Sequence, residues 1–127
     1  MKIFFRLLFF IYTFLLVWVS VNPILGFGDV KYANTPIRID YLLHVFAFFV
    51  LPLIGYLANG SNGKFKLWII LIAVSFVIAV GTEFLQIVVP ERKFNLYDTF
   101  SNLIGLILGI TAVLTYEYFI KKQKITK

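Results

Sequence analysis

Cysteine is absent from this chain, which removes disulfides, thiolate metal sites and thiol nucleophiles together. Charge is scarce as well: Asp, Glu, Lys and Arg make up 14% of the residues, six residues are acidic, and there is one histidine. Chemistry that needs a carboxylate or an imidazole therefore has few places to sit. No nucleophile elbow and no zincin motif occurs, and no groove-reading module accompanies the net charge of +6, so nucleic acid is not an expected partner. No Ser/Gly-rich linker or low-complexity tract interrupts the chain, so residues 1–127 read as one domain.

Apolar residues fill the space those absences leave. They make up 61% of the chain, aromatic residues 19%, and the mean hydropathy is +0.91, far from the balance of a soluble domain. A bilayer core is crossed by about 20 residues of helix. Four segments qualify: Ile3 to Val21, Tyr41 to Ala58, Leu67 to Val89 and Tyr97 to Ile120. Loop punctuation separates them, namely Asn22-Pro23 with Gly26 and Gly28, then Asn59 to Gly63, then Pro90-Glu91-Arg92-Lys93. Pro52 falls inside the second segment, where a kink is expected because neighbouring helices can satisfy the carbonyl it frees. Lys2 and Arg6 ahead of an apolar run resemble a signal peptide, but the run is long and lacks a small-x-small cleavage site, so a retained helix is expected. The fold class that follows is all-α: a polytopic, multi-pass four-helix transmembrane bundle with short loops.

The twelve basic residues orient it. With both termini cytoplasmic, Lys2, Arg6, Lys64, Lys66, Lys121, Lys122, Lys124 and Lys127 face inward, and Lys31, Arg38, Arg92 and Lys93 face outward. Eight against four obeys the positive-inside rule. Trp18, Tyr41 and Tyr97 then fall near the outer interface, and Tyr56, Trp68, Tyr116 and Tyr118 near the inner one.

Within this frame three helix-spaced polar pairs reach the outer leaflet: Asp40 with His44, Glu83 with Gln86, and Asp98 with Asn102. Glu83 precedes Pro90 by seven residues, which would bury it about 10 Å below a helix end at Val89. Plain structural roles account for several of these residues. Asp40 and Asp98 suit helix N-termini, and His44, Gln86 and Asn102 can hold helices together. Glu83 is the hardest to explain by packing, since a charge at depth costs about 2.5 to 3.5 kcal/mol on insertion scales. Arg92, on the short outer loop, is its expected counter-charge and an anion hook. Glu117 is expected to pair with Lys121 in solvent. Gly105 and Gly109 are spaced for close helix approach within the chain, with Gly81 in a similar role.

The run Asp40-Tyr-Leu-Leu-His44, then Glu83-Phe-Leu-Gln86, Pro90-Glu-Arg92, and Asp98 with Asn102, Gly105 and Gly109 resembles the VanZ-like membrane proteins. The resemblance covers about residues 40–109 and departs at Tyr41, where many members carry lysine. It implies a small polytopic protein of the bacterial plasma membrane, in a family named for a contribution to resistance against teicoplanin, a glycopeptide that binds peptidoglycan precursors.

From the residues themselves, the expected site is an outward-facing polar pocket formed by Asp40, His44, Glu83, Gln86, Asp98 and Asn102, with Arg92 at its rim. Membrane lipids are expected partners, and a lipid-linked head group suits the pocket; with the resemblance this implies a lipid-linked cell-wall precursor or glycopeptide-related ligand, bound without turnover and without a cofactor or metal. The alternative is a membrane enzyme acting on a phosphate or acyl group, in which Asp40, His44, Glu83 and Asp98 would hold a divalent metal. A small proton-coupled carrier is a further reading.

Overall fold

A computed structural model of the chain describes residues 1–22, 39–60, 65–90 and 93–125. Within them all regular secondary structure is helical, as α1 (Lys2–Val21), α2 (Ile39–Asn59), α3 (Phe65–Gln86) and α4 (Leu96–Ile125). Each is long and apolar enough to cross a membrane. Arg92, Glu91 and the loop residues Pro23, Gly26, Gly28, Ser61, Asn62 and Gly63 lie outside the described residues.

Local chemistry sets the helix ends. The residue before a proline is pushed toward extended backbone, and Asn22, preceding Pro23, ends α1 at φ −84° and ψ 117°. Gly60 takes φ 78° and its N–H donates to the Tyr56 carbonyl at 2.9 Å, a glycine stop in the left-handed region. α2 is continuous through Pro52. α3 stops at Gln86, short of the expected Val89. Its last carbonyls are taken by tight three-residue turns, with the N–H groups of Ile87, Val88 and Val89 donating to Phe84, Leu85 and Gln86. Pro90 cannot continue a helix, and the chain tightens ahead of it. α4 starts from Asn95, whose Oδ1 accepts the Tyr97 N–H at 3.0 Å and whose carbonyl accepts from Asp98. Asn95 is therefore the cap.

The helices run alternately up and down, and α4 packs most extensively on α2. α2 and α3 each touch all three other helices, while α1 and α4 have no packing contact among the described residues. Gly105 and Gly109 explain the α2–α4 seam: a Cβ on Gly105 would collide with the Val45 carbonyl, and one on Gly109 with that of Phe49 and, at 3.0 Å, with Pro52. These glycines do let the backbones close, as expected. Gly81 does not, because a Cβ there would meet nothing within 4 Å. It points away from the other helices, and its spacing in sequence carries no packing role.

Phe9, Phe48, Leu51, Ile54, Ala58, Ala79 and Leu106 form the core. Phe4, Phe14, Phe46, Val77, Ile107 and Phe119 are among many large apolar side chains exposed on the outer faces of all four helices. An apolar belt of that extent would be an association hazard in water and is what lipid requires. Aromatic residues mark its two ends. Tyr41 and Tyr97 lie 6.1 Å apart at one, and Tyr56 lies 6.1 Å from both Trp68 and Tyr116 at the other. Glu117 belongs to the second group: the Tyr56 hydroxyl donates to it. This partner comes from a neighbouring helix because α2 and α4 run close together to this end, while the side chain of Lys121, the expected partner, lies outside the described residues.

Candidate functional site

The first turn of α2, the last turn of α3 and the first turns of α4 share one end of the bundle, so antiparallel packing gathers there the acids and amides singled out by their spacing. Glu83 lies three residues before the end of α3, about 4.5 Å along the axis. That is shallower along its own helix than expected, since α3 stops at Gln86. It is nevertheless completely enclosed, with 0% exposure, as is Asn102. Burial here comes from the neighbouring helices and not from depth alone.

Asn102 joins the three helices. Its Nδ2 donates to the Ala79 carbonyl at 3.0 Å and to Glu83 Oε1 at 3.3 Å. Those acceptors are four residues apart on one face of α3, so a single amide can span them. The Ala79 carbonyl can only accept, which fixes the orientation of the amide and turns Oδ1 toward α2. There His44 Nδ1 lies 2.8 Å from Oδ1. An amide oxygen has no proton to give, so Nδ1 must carry the hydrogen and donate it. The neutral ring then keeps its lone pair on Nε2. Should the ring gain a second proton, Glu83 Oε1 stands 4.0 Å from Nδ1 to stabilise the cation.

This linkage corrects the expected partnership. His44 does not rely on Asp40 one turn earlier; it reaches 58 positions along the chain to Asn102. Asp40 is buried at the mouth of α2 and its Oδ1 accepts the adjacent Tyr41 N–H at 3.0 Å, which is local helix-start chemistry. Asp98 does not cap α4, since Asn95 does; it sits buried in the first turn and joins the cluster. Ligand atoms of His44, Glu83 and Asp98 all lie within 4.8 Å of one another. Asp40 falls outside that group, because it stands one helical turn nearer the bundle end than His44. Gln86 is buried one turn beyond Glu83, and Arg92 lies outside the described residues.

One imidazole and two carboxylates form a donor set suited to a divalent transition metal. Metal bonds of about 2.0–2.2 Å set ligands about 3.3–3.6 Å apart around a tetrahedral ion, so the three would have to close by as much as about 1.5 Å around it. Without an ion the same arrangement can hold and move a proton. His44 is the accessible member of the group, its side chain 26% exposed against 0% for Glu83. What reaches the cluster meets the ring first, while the Asn102 amide sets its tautomer from behind.

The neighbouring hydroxyls take no part in the linkage. Thr82 donates to Ile78 and Ser101 to Tyr97, each four residues back in its own helix. Two contributors went unread in the sequence. One is the Ala79 carbonyl, a backbone group whose only signal is a small residue one turn before Glu83. The other is Asn95, whose signal was available as an Asn just ahead of an apolar run.

No family model matches the chain. It is similar to an uncharacterized protein of Schizosaccharomyces pombe, 26% identical over 102 residues that cover 80% of this chain and 61% of that protein. The chain thus spans less than two thirds of that relative's length. No solved structure matches.

Proposed function

We propose that this is a VanZ-like, multi-pass protein of the bacterial plasma membrane, with both termini cytoplasmic, whose polar cluster binds the phosphorylated head group of a lipid-linked envelope precursor at the outer leaflet. The observation that carries the reading is the Glu83–Asn102–His44 linkage. A fully enclosed acid is expensive in an apolar bundle, and such residues commonly line functional cavities. Here it backs the one imidazole of the chain, which opens outward and, once protonated, is an anion-binding donor. Arg92 would add a bidentate clamp at the rim, and Asp40 and Gln86 would border the approach. Holding such a precursor is a route by which the protein would contribute to resistance against teicoplanin.

The His44, Glu83 and Asp98 group favours a second reading, a metal-dependent enzyme that hydrolyses or transfers a phosphate or acyl group of an envelope lipid. One experiment separates the two. Purified protein in nanodiscs is incubated with undecaprenyl phosphate, with and without Zn²⁺ or Mn²⁺, following binding and products by mass spectrometry for wild type and Glu83→Gln. Binding without product, weakened about tenfold (about 1.4 kcal/mol) in the variant, is the expected result. Metal-dependent product lost in the variant would establish the enzyme instead. Unchanged binding in Glu83→Gln, with no product from either protein, would sink both.

A further inference from the structure

The end of the bundle opposite the polar cluster holds a separate feature. Between the first half of α1, the last turn of α2 and the first half of α3 lies a cavity of about 370 Å³, lined by Arg6, Phe9, Phe10, Ala58, Leu67 and Leu71. Its size falls within the range of about 300–1,000 Å³ typical of small-molecule pockets. Five of its six lining residues are apolar, and the sixth is the cation Arg6. Two of the lining side chains are held against α2 at Gly55, where a Cβ would meet Phe9 and Leu71 at 3.4 and 3.7 Å, ordinary contact distances.

Arg6 is held in place. Its Nε donates to the Ala58 carbonyl at 3.4 Å, at the negative end of the α2 dipole, which leaves the two terminal nitrogens of the fork for another acceptor. Lys2, four residues earlier on the same face of α1, lays its side chain across Gly60, and Lys66 precedes the lining residue Leu67 in the first turn of α3. Pairing with the α2 terminus accounts for one nitrogen of Arg6. It does not account for an apolar cavity that Arg6 borders, with Lys2 one turn away on α1.

We infer that this cavity is a binding site for an anionic phospholipid, with one acyl chain between α1 and α3 and the phosphate on Arg6 and Lys2. An apolar slot below a basic rim complements that molecule in both shape and charge, and basic pockets between transmembrane helices take anionic head groups. The lipid would act as a strut. α1 has no packing contact with α4 among the described residues, and only 6% of its apolar window is buried within the protein, so α1 would gain most from filling the gap.

The test uses the full chain in nanodiscs of equimolar phosphatidylglycerol and phosphatidylcholine, ejected into native mass spectrometry to count the lipids retained, with Tm measured in pure discs of each. Wild type is expected to retain phosphatidylglycerol several-fold over phosphatidylcholine and to have a higher Tm in it, by linkage. The double variant Lys2→Gln/Arg6→Gln should bring retention to parity and erase the Tm difference. Leu67→Trp, which fills the slot without touching charge and suits an interfacial position, should lower retention of the anionic lipid in the same way. Equal retention of the two lipids by wild type, or a preference that survives both variants, would overturn the assignment.

Discussion

Asn102 does three jobs with one side chain: it ties α4 to α3, holds Glu83 and dictates which nitrogen of His44 bears the proton. Because the Ala79 carbonyl orients the amide, neutral His44 is expected as the Nδ1–H tautomer. Long-range ¹H–¹⁵N correlation of the labelled ring would show it, and a dominant Nε2–H form would refute the linkage. Asn102→Ala should release the ring to a tautomer mixture and destabilise the bundle by about 1–2 kcal/mol, since the groups left behind are enclosed. Ser101→Ala, one position away, should fall within about 0.5 kcal/mol, because that hydroxyl bonds to its own helix. Reversible unfolding in mixed micelles compares the pair. At this scale the chain was half legible. Glu83, His44, Asp98 and Asn102 stood out because polar residues are costly in an apolar helix. Their partners did not, since helical spacing joins Asp40 to His44 while the contact that forms crosses between helices.

Helix starts and stops are written locally, and most could be read from punctuation. Asn22-Pro23, Asn59-Gly60 and Asn95 act within a few residues of themselves. The end of α3 was misplaced by three residues, because hydropathy continues through Ile87, Val88 and Val89 while the backbone already tightens toward Pro90. Glycines show the limit of spacing more sharply. Gly105 and Gly81 look alike in sequence, yet only Gly105 abuts another backbone. Gly105→Ala is therefore expected to cost about 1–3 kcal/mol as the α2–α4 seam is forced apart at Val45. Gly81→Ala should be neutral or stabilising by up to about 1 kcal/mol, from helix propensity alone. Thermal unfolding in detergent would check both, and equal losses at the two sites would contradict the packing.

For the whole molecule, alternation of four helices brings the start of α1 and the end of α4 to one end, with the His44 cluster at the other. The absence of cysteine makes sidedness easy to test, since a single introduced thiol is the only one present. Phe94→Cys, beside the polar cluster, should react with a membrane-impermeant maleimide in intact cells, and Phe65→Cys at the opposite end only after permeabilisation. The reverse pattern would put the cluster on the cytoplasmic face and exclude an outer-leaflet ligand.

Composition and hydropathy alone dictated that the chain is helical, that four segments are long and apolar enough to span a membrane, and roughly where each begins. Those are local properties, carried by runs of neighbouring residues and by the punctuation between them. Which polar residues meet was decided only by the rotation and register of one helix on another, which Gly105 and Gly109 impose by letting α4 settle against Val45 and Phe49. That seam brings Asn102 under His44 and against Ala79 and Glu83, while Asp40 stays one turn away at the helix mouth. A backbone carbonyl completes the site, and no side-chain pattern encodes its position directly.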